Sequence, residues 1–148
     1  MIRSDAEHRK AQRDLELALE MLDEERAHWE EEGMTDEEVS AMLEPLRLRI
    51  DQLREEIELY DRTVSGDLSM FTGFEDMGKA LIAARLALGM SQRDFAELLG
   101  VHESQVSRDE RNEYHGVGSE RLREIMQAVG LKFEGQFELT SSGSCAAP

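Results

Sequence analysis

Cysteine is nearly missing from this chain of 148 residues; Cys145 is the only one. A single thiol excludes an internal disulfide framework and a cysteine-based zinc cluster. Aromatic side chains make up only 5% of the residues. No run of about 18 apolar residues occurs, which excludes a membrane-spanning helix. The first ten residues, MIRSDAEHRK, contain no apolar core, so no secretory leader is expected. Basic residues are also scarce: 17 Lys and Arg stand against 33 Asp and Glu, for a net charge of -16. What is present is 40% hydrophobic and 34% charged residues, the profile of a helix-rich folded protein rather than a disordered one. These features predict a cytoplasmic protein with no membrane partner.

The shortage of positive charge argues against nucleic acid, because phosphate binding needs Lys and Arg. Its distribution is uneven. Residues 1–66 hold 9 basic and 20 acidic residues, whereas residues 67–148 hold 8 and 13. The two halves are expected to do different jobs.

Residues 4–32 read as one helix, with Leu15, Leu19, Leu22 and Trp29 as its apolar stripe, widened by Ala18 and Met21. Gly33-Met34 interrupts the pattern. Thr35 followed by Glu38 forms a capping-box signature that starts a second helix. There Val39, Leu43, Leu46, Ile50, Leu53, Ile57, Tyr60 and Val64 alternate spacings of 4 and 3, a heptad seam. Such a narrow seam needs another helix, and the short connection favours the first helix as an antiparallel partner. Pro45 lies inside the pattern and predicts a kink. The hairpin (residues 1–64) is either a spacer or an arm for oligomerisation or partner docking.

Residues 65–73 read as a linker rich in small polar residues. Residues 74–140 then form a domain of short helices. One runs over 74–88 and ends at Gly89. A second is capped by Ser91, and Gly100 turns the chain into a third from His102 to about Arg111. A loop over 112–118 follows, and Ser119 caps a last helix that ends at Gly130. Leu131, Phe133, Phe137 and Leu139 alternate with polar residues, a strand signature. An isolated strand is unstable, so its expected partner is the same strand of a second subunit, with these four residues as the dimer contact. Residues 141–148 read as a disordered tail, and Cys145 within it as incidental.

The segment MSQRDFAELLGVHESQVSRDER, residues 90–111, carries the most specific spacing. Ala96 is small where two helices cross, Gly100 permits positive φ, and Val101 and Val106 are apolar anchors. Gln92, Ala96, Gly100, Val101, Val106, Ser107 and Glu110 together resemble the helix-turn-helix of the XRE/Cro-repressor family, over roughly residues 75–130. The resemblance implies a lambda-repressor-like DNA-binding domain whose second motif helix enters the major groove. It assigns Gln92 to a phosphate and Glu103, Ser104 and Gln105, with Arg108 one turn later, to base edges. Arg93 and Arg111 would take flanking phosphates, and His102 and Ser107 complete the candidate set. Alternatives stay open for each. Glu103 would also suit the helix dipole, and Arg108 and Arg111 could pair with glutamates a turn away. His102 sits at the cap position, where Ser or Thr is more usual. The sequence departs from the family pattern at Asp109, where an apolar or aromatic residue is usual.

The order of motif, helix and short strand is similar to HigA-like antitoxins, which repress their own operon as dimers and neutralise a toxin. Catalysis is not expected. There is no Gly-rich phosphate loop and no HExxH, and His8, His28, His102 and His115 are scattered. No cofactor and no metal are expected. The reading is a mainly α protein: a coiled-coil-like helical hairpin plus a helix-turn-helix domain closed by a short β-strand. It would act as a homodimeric repressor on a pseudopalindromic double-stranded DNA operator. The alternatives are an antitoxin with a protein partner and an interaction adaptor with a degenerate helix-turn-helix.

Overall fold

The computed structural model of the protein describes residues 1–138. Six α-helices make up almost all of its regular structure: α1 (Asp5–Glu31), α2 (Asp36–Val64), α3 (Met77–Ala87), α4 (Gln92–Leu99), α5 (Glu103–Arg111) and α6 (Ser119–Val129). A 3-10 turn (Phe74–Asp76) leads into α3, so the helix expected from residue 74 begins with a tighter turn.

α1 and α2 form the antiparallel pair. Ser4 caps α1, and Thr35 and Glu38 form the reciprocal capping box of α2. Val39, Leu43, Ile50, Leu53 and Tyr60 of the seam are buried, opposite the small Ala11 and Ala18 of α1. Val64 and Met21, both expected in the apolar stripe, remain 45% and 49% exposed. α2 runs unbroken through Pro45. Pro45 and Ala41 both face solvent, so water can take the carbonyl that proline leaves without a donor.

The base of the hairpin is continuous with the second half of the chain. Ile2, Ala11, Leu53 and Tyr60 belong to the same buried cluster as Leu81, Ile82, Leu86, Phe95, Val106 and Ile125. The connection after α2 is ordered by Asp67, which accepts from the Ser69 hydroxyl and N–H and from Arg62. Those bonds hold its carboxyl down at about 2.

The expected C-terminal strand is absent from the described residues: 131–138 carry no strand or bridge, and Leu139 lies outside them. The physical reason is the lack of a second strand to supply ladder hydrogen bonds within the chain. Local bonds and side-chain packing hold the segment instead. Leu131 N–H returns to the Met126 carbonyl at 2.9 Å, and Phe133 meets Phe74 edge-on at 6.4 Å. A smaller correction applies to α6. Its cap is Gly118, and Ser119 is already the first helical residue.

Both tyrosines of the chain are buried, and both are harder to ionise than usual. Burial, followed by the bond to Asp5, pushes Tyr60 up to about 12. Burial and the nearby Glu110 and Asp109 raise Tyr114 as well. The raised pKa values mean that the fold favours the neutral phenols. Their stabilising contribution is therefore intact below pH 10 and is lost as pH climbs from 10 towards 12. An absorbance titration is expected to show little phenolate at pH 10 in the native protein. Half-ionisation at pH 10 with the helices intact would contradict this.

Candidate nucleic-acid interface

α4 and α5 are joined by local chemistry that fixes their angle. The Ser91 hydroxyl accepts from the Asp94 N–H at 3.1 Å, and the Asp94 carboxylate accepts from the Ser91 N–H at 3.0 Å. The Ser91 hydroxyl also donates to that carboxylate, and this bond, followed by the one from the Ser91 N–H, keeps the Asp94 carboxyl below its ordinary value. Gly100 ends α4 in the left-handed conformation with φ 65°, and Val101 N–H returns to the Ala96 carbonyl. Ala96 and Val106, each 2% exposed, let the two helices close on one another. His102 caps α5 through its ring Nδ1, which accepts from the Ser104 N–H at 3.2 Å. The unusual histidine thus does the work of the usual Ser or Thr.

Beneath this pair lies a buried ion pair. Arg85 of α3 and Glu110 of α5 are 2% and 0% exposed. Arg85 Nε and Nη2 donate to the two Glu110 oxygens at 2.5 and 2.9 Å. Its Nη1 donates to the Met90 carbonyl at 2.7 Å, and Nη2 also reaches the Arg3 carbonyl at 3.1 Å. One guanidinium therefore ties α3, the turn before α4, α5 and the N-terminal segment together. Gln92 Nε2 donates to Glu110 Oε2 at 2.8 Å, so part of its amide faces inward.

The other candidates fall into two groups. Glu103, Ser104, Arg108 and Arg111 are exposed on α5, and neither arginine has an ion-pair partner among the described residues. The intrahelical pairing considered for them is not formed. Arg93 pairs with Glu97 at 3.3 Å. Gln105 and Ser107 are half-buried. The Gln105 amide donates to Asp109 at 2.7 Å. The atypical Asp109 thereby engages one of the two N–H groups of Gln105, whose bidentate readout of adenine needs both a donor and an acceptor. Of the four C-terminal candidates, Leu131 is half-buried against the core, Phe133 is 39% exposed and Phe137 97% exposed.

Three arginines escaped the sequence reading. Arg85 had one signal: it is the only charged residue in the apolar run of residues 80–88, and buried arginines need a carboxylate. Arg3 and Arg9 had none. They line an open cleft of about 840 Å³, across from Gln92, Glu103, Ser107 and Arg111. The first turn of α1 therefore stands beside the face that α4 and α5 present. The same cleft is also lined by Asp5, Glu7 and Asp94, whose negative charge opposes that of a phosphate.

Among the described residues no group of three or more His, Cys, Asp or Glu side chains could hold a metal. No described helix is long and apolar enough to cross a membrane. No curated protein and no solved structure matches the chain. A family model described as Helix-turn-helix matches residues 81–136, the stretch that holds α4, the Gly100 turn and α5. This part of the chain is a helix-turn-helix domain.

Proposed function

We propose that the protein is a sequence-specific DNA-binding regulator that acts as a dimer and represses its own operon. The observation that supports this best is the exposed face of α5. Arg108 and Arg111 stand there without ion-pair partners among the described residues, on a helix held at a set angle by Gly100 and the Arg85–Glu110 pair. Arg108 is suited to a guanine edge and Arg111 to a flanking phosphate. A dimer would place two such helices about 34 Å apart on a pseudopalindromic site. The exposed Phe137, and Phe74 with Phe133 against it, supply apolar surface for the contact between copies.

A mobility shift against the DNA upstream of the protein's own gene tests the reading. The expected result is a specific shift at low salt that weakens steeply as salt rises, with a slope of about 0.9 per phosphate contacted. Replacing Gln92, Gln105 and Arg108 together with Ala is expected to abolish it. Absence of a shift at low salt, by a protein shown to be folded, would overturn the proposal.

A further inference from the structure

The hairpin has a surface that the DNA reading does not use. Residues 14–46, which make up most of α1, the turn and the start of α2, hold thirteen acidic residues and a single basic one, Arg26. They carry -12 of the chain's net charge of -16. The negative charge is therefore gathered away from α5, at the far end of a helix pair about 40 Å long.

Three large apolar side chains stand out of this acidic stretch: Leu17 is 57% exposed, and Met21 and Met42 are each 49% exposed. None belongs to the buried seam. Met21 immediately precedes the seam residue Leu22 in α1, and Leu17 lies one turn before it. Met42 immediately precedes the seam residue Leu43 in α2. In an antiparallel pair, positions that precede equivalent seam residues border the same flank. By helix periodicity Leu17 and Met21, four residues apart in α1, and Met42 in α2 fall on one flank of the pair, within the stretch that also holds Asp14, Glu24 and Glu38. Single exposed apolar residues are ordinary, but a convergent strip with a charged rim marks an interaction site.

We propose that this strip docks a basic amphipathic helix of another protein. Its apolar side would lie on Leu17, Met21 and Met42, and its Lys and Arg residues against the acidic edges. Sign of charge selects the partner. A second copy of the chain would bring equal negative charge, and nucleic acid or an anionic membrane would be repelled. The proposal concerns residues outside the helix-turn-helix match and stands independently of the DNA reading.

The test uses the full chain and a synthetic peptide of about 20 residues, long enough to span about 30 Å as a helix. The peptide carries Leu at helical i, i+3, i+4 spacing and Lys elsewhere, and a scrambled peptide of the same composition is the comparison. At physiological salt the amphipathic peptide is expected to bind about tenfold tighter than the scrambled one. The double variant Met21→Glu/Met42→Glu adds negative charge and removes apolar contact. With its helix content unchanged, it is expected to lose about tenfold in affinity for the amphipathic peptide. Equal affinity for the two peptides, or undiminished binding by the variant, would reduce the effect to bulk charge attraction and overturn the proposal. So would a homodimer in solution that the double variant dissociates, because the strip would then belong to a second copy.

Discussion

Replacing Glu110 with Ala is expected to lower the stability of the fold by about 3–5 kcal/mol, because it leaves the buried Arg85 guanidinium without its carboxylate. Arg85 is 2% exposed and cannot turn to water without giving up its bonds to the Met90 and Arg3 carbonyls. The loss would spread to function. Glu110 also accepts from Gln92, so the start of α4 and the body of α5 would both lose an internal tie. The single variants and the pair separate charge from shape. Arg85→Met alone strands the Glu110 carboxylate and is expected to cost a similar amount. Arg85→Met/Glu110→Leu removes both charges and is expected to recover most of the stability, because a well-packed apolar pair often equals a buried ion pair. Urea unfolding of the four proteins checks this. A Glu110→Ala variant within about 1 kcal/mol of wild type would mean that the pair is solvated and weak.

Gly78→Ala is expected to cost about 3 kcal/mol, at the upper end for overpacking, and to lower Tm by about 6–12 °C in a chain of this size. A Cβ at position 78 would stand 1.9 Å from the Glu113 carbonyl oxygen and 2.6 Å from its carbon. The obstacle is backbone, which cannot step aside as a side-chain tip does. That backbone is already constrained: Glu113 and Tyr114 hold φ of 49° and 57°, a left-handed conformation that costs non-glycine residues about 1–2 kcal/mol each. Tyr114 is buried as an anchor on the same loop. Either α3 or the α5–α6 loop must move, and both position α5. Thermal unfolding followed by circular dichroism reads the loss, and an unchanged Tm would show that the loop yields freely.

These two sites also mark where reading the sequence stopped. The hairpin seam, the capping box at Thr35–Glu38, the cap at Ser91 and the left-handed turn at Gly100 were legible in the sequence. Each is a contact between residues within about one helical turn, or a stripe that repeats with the helix period, so neighbouring letters contain the whole interaction. The alternating segment after Gly130 was misread for the complementary reason. Alternation describes which way side chains would point in a strand, but a strand exists only where another one pairs with it, and 131–138 have none in this chain.

The sequence by itself determined the helices, most of their ends, the antiparallel hairpin and the helix-turn-helix spacing, because all of these follow from local backbone preference and periodic burial. Only the tertiary structure decided that Arg85 meets Glu110 across 25 positions, that Gly78 lies against the Glu113 backbone, and that Gln92 and Gln105 each give part of their amide to an acidic neighbour. It also placed Arg3 and Arg9 beside the face of α5. Most of these pairings join residues that are distant or unrelated in the local pattern, and a buried charge or an absent Cβ acquires its meaning only from the atom packed against it.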